Sequence, residues 1–282
     1  MMKTTSDKIS DIISQAGSTL KSLVKIAVSS RGSDISKCRQ EGDRIIIMGN
    51  GPSLAETIES HHELMKTVPL MAVNFAANTS EFFALKPRYY ILADPHFFKS
   101  EDKNVKLLLQ NLANVDWKMT LIIPSRARIA PDLGANVEIR RFNMVSAEGF
   151  DWFEDKVYSS GLAMPRPRNV LIPAIMTSIS MGYKKIYIVG ADHSWTRTLS
   201  VNERNEVVSI QPHFYAESKE ESERVTAVYR DVKLHEIINS FYVAFKAYHR
   251  IERFARRKGV TIYNSTPGSF IDAFERRPLP ES

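Results

Sequence analysis

The sequence predicts an α/β fold in which helices cover both faces of a mostly parallel sheet. Short apolar runs of strand length alternate with longer stretches of helical spacing from Arg44 onward, and this alternation is typical of parallel strands joined by crossover helices. Glycines and polar residues follow directly after several of the apolar runs, which is where open parallel sheets bind their ligands. We therefore expect a Rossmann-like sheet with its functional residues along one edge.

Seven apolar runs are predicted as strands because each is short and is bounded by polar or turn-forming residues. In chain order they are Arg44–Met48, Leu70–Phe75, Tyr89–Ala93, Thr120–Ile123, Val137–Phe142, Lys185–Val189 and Thr261–Tyr263. Helices are predicted over Leu54–Met65, Val105–Leu112, Val170–Met181 and from about Val228 to Lys258.

Residues 1–43 are predicted to form an amphipathic helical appendage followed by a linker. Apolar residues such as Ile9, Ile13 and Leu20 recur at helical spacing with lysines between them, and the stretch from Ser29 to Gly42 is polar. A basic amphipathic helix lies on a membrane surface, packs on a partner or packs on its own domain. The sequence leaves these three alternatives open.

Residues 44–282 are predicted to form one domain with a lid-like loop over about 194–223. Loops this long within a compact domain are either functional or disordered. Trp195 and Phe214 lie within this polar stretch, and such aromatic residues favour a loop that folds onto a ligand.

Composition excludes several classes of protein. The single Cys38 excludes an internal disulfide and any multi-cysteine metal site, and there is no apolar run of the roughly 18 residues that a membrane span needs. We therefore expect a cytoplasmic protein.

The net charge of +6 is concentrated between Lys246 and Arg277, which indicates either a solvated helix or peripheral contact with the inner face of a membrane. Nucleic acid is not an expected partner because no zinc-finger spacing or aromatic RNA-binding motif is present.

The turn after the first predicted strand has the features of an anion site. Gly49 and Gly51 allow a tight turn and a close approach of the backbone to a ligand, and Ser53 is predicted as the N-cap of the next helix. The free N–H groups at a helix N-terminus attract phosphate. The sequence therefore predicts a nucleotide phosphate here, with a purely structural glycine turn as the alternative.

Polar residues also follow three other predicted strands. Asn74 ends the second strand, Asp94 follows the third, and Gly190 and Asp192 follow the sixth. Because the carboxyl ends of parallel strands meet at one edge of a sheet, we expect these residues to lie near the glycine turn.

Two of these blocks resemble a known family. Asn50-Gly51-Pro52-Ser53-Leu54 and the block from Gly182 to Asp192 resemble the shared motifs of the bacterial sialyltransferases of glycosyltransferase family 42. The same blocks recur in the related 6-hydroxymethylpterin pyrophosphokinase-like proteins, formerly a domain of unknown function. The resemblance extends from about Arg44 to Phe274, and it implies a domain that binds a nucleotide sugar.

The resemblance also implies roles for individual residues. Those implied to bind the nucleotide or the donor sugar are Asn50, Gly51, Pro52, Ser53, Asn74, Asp94, Asn169, Gly190, Asp192, Ser265 and Gly268. Asp94 stands where the sialyltransferases carry an asparagine, and this departure argues against sialic acid itself as the donor sugar.

A histidine in the mobile region after the second block is the catalytic base of the related transferases. His213 is the best positional match, and Tyr215 could donate to the departing phosphate. Histidine suits this task because its unperturbed pKa of about 6.5 lets it accept a proton near neutral pH. His193 is the next candidate for the base, followed by His96.

The leading hypothesis is a glycosyltransferase that moves a sugar, of the nonulosonic-acid type, from a CMP-activated donor to a glycan or glycolipid acceptor. It would need no metal, because a single departing phosphate can be stabilised by protein groups alone. The alternative is a pyrophosphokinase that acts on a pterin-like alcohol with ATP and Mg²⁺, for which Asp94 and Asp192 would be the metal ligands. A non-catalytic nucleotide-binding module is a third alternative. The resemblance further implies a homo-oligomer, because the related transferases often form tetramers.

Overall fold

A computed structural model of the chain describes residues 5–38, 40–100, 102–129, 133–208, 214 and 232–281. Its strands are β1 Arg44–Met48, β2 Leu70–Val73, β3 Tyr89–Ile91, β4 Met119–Pro124, β5 Val137–Phe142, β6 Lys185–Val189, β7 Ser200–Val201, β8 Val207–Val208, β9 Thr261–Asn264 and β10 Glu275–Arg276. Its helices are α1 Thr5–Ser29, α2 Ser53–Ser60, α3 His62–Thr67, α4 Ser80–Leu85, α5 His96–Lys99, α6 Lys103–Ala113, α7 Asp151–Ser159, α8 Leu171–Met181 and α9 Leu234–Arg257.

The central sheet has eight strands in the order β10-β9-β6-β1-β2-β3-β4-β5. Every neighbouring pair in it is parallel, which confirms the predicted α/β class. The chain builds outward from β1 to β5 and then returns to place β6 on the other side of β1. Strand order therefore reverses between β1 and β6, and a crevice opens outside the carboxyl ends of strands at such a point.

The strands are apolar because the sheet is covered on both faces. In β1, Ile45 and Ile47 belong to one core cluster and Ile46 and Met48 to the other, as the alternation of side chains along a strand requires. Residues of α7, α8 and α9 complete the first cluster, and residues of α2, α3, α4 and α6 complete the second. Helices on both faces were predicted and are confirmed.

All seven predicted strands are present, with small differences at their ends. β2 stops at Val73 because Asn74 turns to a left-handed backbone with φ of 50° and begins a 3-10 turn, Asn74–Asn78. The single helix predicted over Leu54–Met65 is wrong. His61 has non-helical backbone angles (φ −125°, ψ 26°) and separates α2 from α3.

The helix α1 is attached to the rest of the chain through polar side chains. The Ser22 hydroxyl donates to the carbonyl of Glu148 at 2.8 Å and accepts from its N–H at 2.9 Å, and Thr19 Oγ1 accepts from Phe150 N at 3.1 Å. Apolar residues of α1 are exposed instead: Ile9, Ile12, Ile13, Leu20, Leu23, Val24 and Val28. Of the three alternatives for this helix, the structure shows contact with its own domain.

The linker predicted from Ser29 to Gly42 is wrong for part of its length. Ile35 and Cys38 are buried in the core beside α8, and Arg31 N donates to Asn143 Oδ1 at 2.7 Å. The stretch looks polar overall, but two apolar side chains are enough to hold it against the sheet.

The loop after β6 is described in its first part only. A 3-10 turn at Trp195–Arg197 is followed by the antiparallel pair β7 and β8, and most of the predicted lid lies outside the described residues. None of the helices that the structure describes is both long enough and apolar enough to cross a membrane.

Candidate functional site

Two glycine-containing turns meet where the strand order reverses. The N–H of Gly49 donates to Val189 O and that of Gly51 donates to Gly190 O, both at 2.8 Å. A Cβ on Gly49 would lie 2.4 Å from Gly190 O, and one on Gly190, whose φ is 62°, would lie 2.7 Å from Gly49 O. These glycines are therefore required for the contact between the two turns, in addition to any contact with a ligand.

Ser53 and Asp192 join the same two turns through their side chains. Ser53 Oγ donates to Asp192 Oδ2 at 2.8 Å. The prediction of Ser53 as N-cap is wrong, because Pro52 occupies that position and Ser53 is the first residue of α2. A Cβ on Gly51 would lie 2.0 Å from Asp192 Oδ2. The anion beside the N-terminus of α2 is thus a carboxylate of the chain itself, and its negative charge suits the positive end of the helix dipole.

A cavity of about 490 Å³ opens beside these turns, a volume typical of small-molecule sites. It brings together eight of the residues predicted for the site: Asn50, Gly51, Pro52, Asn74, Asp94, Asn169, Gly190 and Asp192. Met144, Arg168, His193 and Trp195 also line it. The cavity lies at the edge of the sheet that the sequence predicted.

The Asn50 and Asn74 side chains lie on the sheet side of the cavity. Asn50 Nδ2 donates to Val73 O at 3.3 Å, which ties the first turn to the end of β2. Asn74 has a left-handed backbone, and among the described residues its buried Oδ1 has no hydrogen-bond partner. Left-handed non-glycine residues with unsatisfied polar atoms are characteristic of ligand sites.

A chain of hydrogen bonds joins Asn169 and His193, which line the cavity, through Tyr248. Leu171 N and the Tyr248 hydroxyl both donate to Asn169 Oδ1 at 3.0 Å, so the orientation of this amide is fixed. Asn169 Nδ2 is then a buried donor that lacks a partner in the described part of the chain. Tyr248 Oη also lies 2.7 Å from His193 Nε2. Because the tyrosine proton is used on Asn169, Nε2 of His193 carries the proton in this bond and Nδ1 is the unprotonated nitrogen.

The His193 side chain packs against two aromatic rings. Its backbone is left-handed with φ of 50°, and its ring lies 4.1 Å from that of Trp195 and 5.6 Å from that of Tyr248, measured between centroids. Burial lowers the pKa of His193 to about 3, so the ring is neutral at physiological pH. A pKa this low makes it a weak proton acceptor, since efficient general bases have pKa values near the working pH.

The charged groups of the cavity are few. Partial burial and the nearby charge of Arg166 both lower the pKa of Arg168, and no carboxylate pairs with Arg168 among the described residues. Asp94 is exposed, and its Oδ1 accepts from His96 N at 2.8 Å at the start of α5. Within the described ranges there is no group of three or more histidine, cysteine or acidic residues that could hold a metal ion.

Two predicted site residues lie elsewhere. Ser265 and Gly268 line a separate cavity beside α2 and the C-terminal segment. Their loop contacts the site through the backbone of Ala191: Thr266 Oγ1 accepts from Ala191 N, and Ser269 Oγ donates to Ala191 O. His96 does not line the cavity either.

The two predicted catalytic residues, His213 and Tyr215, lie outside the described residues. Phe214, which stands between them in the sequence, is described: its N–H donates to Asn50 O at 3.1 Å, and its half-buried side chain packs against the second core cluster. Tyr248 was not predicted. On an amphipathic helix, a buried tyrosine carries no sequence signal that separates it from the core.

Comparison with known proteins gives one distant structural likeness. No protein-family model and no curated sequence matches the chain. Among solved structures, it is similar to the MAf glycosyltransferase from Magnetospirillum magneticum AMB-1, with a TM-score of 0.48 and 14% identity over 89% of this chain. The chain spans only 35% of the length of that protein.

Proposed function

We propose that the chain is a glycosyltransferase that binds a nucleotide-activated sugar in the cavity between the β1 and β6 turns. The observation that carries the proposal is a pair of buried polar atoms that have no partner among the described residues, Asn74 Oδ1 and Asn169 Nδ2, beside the exposed Arg168 cation. Buried polar groups without partners are costly unless a ligand satisfies them. The resemblance of the Asn50 to Leu54 turn to that of the family 42 sialyltransferases supports the same assignment.

The donor phosphate is assigned to Arg168 and Asn169 rather than to the N-terminus of α2. Asp192 already brings a carboxylate to that terminus, and a second anion there would be repelled. Asp192 and Ser53 instead suit the hydroxyl groups of a ribose. A CMP-linked donor of the nonulosonic-acid type remains the leading candidate, and Arg168 could also meet its carboxylate.

In the reaction, an acceptor hydroxyl oxygen forms a bond to the anomeric carbon as its proton passes to a base. The bond between that carbon and the phosphate oxygen breaks, and CMP departs. We assign the base to His213, with Tyr215 as a donor to the departing phosphate. The low pKa of His193 argues for a different role for His193, which is to position Tyr248 and Asn169. No metal is needed for a leaving group with one phosphate.

The test is thermal stabilisation by CMP, CDP, UDP, GDP and ATP, each with and without Mg²⁺. A ligand that binds only the folded state raises the unfolding temperature in proportion to the logarithm of its concentration. We expect metal-independent stabilisation by CMP. Arg168→Gln should weaken CMP binding by about tenfold or more because a charge-assisted hydrogen bond is lost. The control is Arg166→Gln, since Arg166 does not line the cavity.

Pyrophosphate transfer is the second candidate, and one observation favours it: Asp94 and Asp192 line the same cavity. Stabilisation only by ATP with Mg²⁺, abolished by Asp94→Asn, would establish this alternative and contradict the first. A His213→Ala protein that binds CMP but has lost turnover would support glycosyl transfer.

A further inference from the structure

A second cavity adjoins the candidate site. It has a volume of about 580 Å³ and shares Ala93, Pro95 and Met144 with the first cavity. Its walls come from the segments that follow β3, β4 and β5. It therefore lies along the same edge of the sheet, and a ligand in it can extend into the candidate site.

The floor of this second cavity is apolar. Its apolar side chains are Ala93, Pro95, Phe98, Pro124, Ala127, Met144 and Val145. Ala93 and Val145 are buried, while Phe98, Ala127 and Met144 are half-buried. A floor of this kind suits a hydrocarbon group better than a free sugar, which would need hydrogen-bonding partners on both faces.

The rim of the cavity is basic. Lys25, Lys99, Arg126 and Arg128 line it, and no carboxylate is among its described lining residues. Arg126 is already engaged, because its NH2 group donates to Ser29 O at 3.2 Å at the end of α1. Lys99 and Arg128 are exposed and have no ion-pair partner in the part of the chain that the structure describes.

The helix α1 borders this cavity on one side and carries an exposed apolar surface on the other. Lys25 and Ser29 of α1 line the cavity. At about 100° per residue, Leu20 and Val24 lie on the side of the helix opposite Ser22, which contacts the domain. Both are more than half exposed, at 65% and 58%. Lys25 and Ser29 lie on the same side of the helix as Ser22, so this exposed apolar strip faces away from the cavity.

From these features we propose that the second cavity binds a phosphate-bearing lipid. The phosphate contacts Lys99 and Arg128, and the hydrocarbon lies on the apolar floor. An apolar floor and a rim with only positive charge among the described lining residues match the two parts of such a molecule. The identification of this lipid as the acceptor rests on the proposed glycosyl transfer, while the binding itself does not.

The experiment uses the full chain and octyl phosphate below its micelle concentration, with inorganic phosphate and octyl glucoside as probes of the head and tail alone. The test variant is Lys99→Glu with Arg128→Glu. The control is Lys118→Glu with Lys184→Glu, which carries the same change in charge on exposed residues that precede β4 and β6, at the opposite edge of the sheet.

We expect octyl phosphate to bind the native protein at least about tenfold more tightly than either partial probe. Binding should weaken by about tenfold or more in the test variant and stay unchanged in the control. Flotation with phosphatidylcholine vesicles should require added phosphatidic acid and should show the same dependence on the two variants.

Equal octyl phosphate binding by both variants would overturn the inference, as would binding of inorganic phosphate as tight as that of octyl phosphate. CMP stabilisation is measured on the same proteins to separate the two proposals. If octyl phosphate binding depends on Lys99 and Arg128 but CMP does not bind, the lipid site stands and glycosyl transfer fails. If CMP binds and octyl phosphate binds both variants equally, glycosyl transfer stands and the lipid site fails.

Discussion

The side chains around the cavity combine fixed geometry with incomplete hydrogen bonding. His193, Tyr248 and Asn169 form a chain in which every proton position is determined by the next partner. The amide nitrogen at its end still has no partner among the described residues. This fixed donor is preorganised for an anionic group, because the Asn169 amide does not have to reorient when the ligand arrives.

The half-buried, neutral His193 should make the free energy of unfolding depend on pH in a defined direction. Its native pKa of about 3 is below its unfolded value. Below about pH 6.5 the unfolded chain therefore binds a proton that the native state does not. Stability should fall as pH falls from there toward pH 3, by up to about 1.4 kcal/mol per pH unit from this residue.

Denaturant unfolding of the native protein and of His193→Asn between pH 7 and pH 4 measures this contribution. The variant should lose less stability on acidification than the native protein. His235→Asn is the control because His235 is exposed on α9. A variant with the same pH dependence as the native protein would show that His193 is protonated in the folded state.

At the scale of single residues, the sequence located the site through the residues that follow strands. Asn50, Asn74, Asp94 and Asp192 could be found because such positions converge in parallel sheets. The sequence could not show that the Asp192 carboxylate lies at the N-terminus of α2, because its contact with Ser53 joins residues 139 positions apart.

Among the elements, the two glycine turns are the most constrained. Gly51→Ala would bring a Cβ to 2.7 Å from the Gly190 carbonyl and 2.0 Å from Asp192 Oδ2, and the backbone oxygen cannot move aside without disturbing β6. We expect a loss of about 1–3 kcal/mol in the free energy of unfolding. CMP stabilisation should weaken as well, since Asp192 is displaced.

Gly17→Ala is the matched control for this substitution. Gly17 lies within α1, and nothing is within 4 Å of the position its Cβ would take. Alanine should stabilise the helix there by about 0.5–1 kcal/mol. Equal effects of the two substitutions on unfolding would contradict the close contact between the turns.

The elements that are buried on both faces were the easiest to predict from the sequence. The seven apolar strands were predictable because both of their faces are covered, which leaves a continuous apolar run in the sequence. The two-residue strands β7, β8 and β10 were missed because two residues cannot show a period. The break at His61 was missed because neither glycine nor proline marks it.

For the whole molecule, the N-terminal region divides into two parts with different roles. The helix α1 contacts the domain through hydrogen bonds and the half-buried Ile26, whereas Ile35 and Cys38 are buried members of the core. The order of strands in the sheet, with β6 returning beside β1, could not be read from the sequence, because every crossover is compatible with a neighbour on either side.

Two truncations should separate these roles. Removal of residues 1–29 should leave a folded protein that has lost the exposed strip of α1. Removal of residues 1–43 should cost at least about 2–5 kcal/mol more, because it empties the space filled by Ile35, which is 2% exposed. Circular dichroism and denaturant unfolding measure both; equal stability of the two proteins would contradict the packing of this segment.

Cys38 is a natural probe of local opening in this protein. It is the only cysteine in the sequence, it is 8% exposed, and burial raises the pKa of its thiol to about 11. The native thiol is therefore both shielded and protonated, and reagents that attack thiolates can reach it only when the segment before β1 detaches. The rate at which Cys38 is modified therefore measures how often this part of the core opens locally. It can be measured in the unaltered protein, without an engineered label.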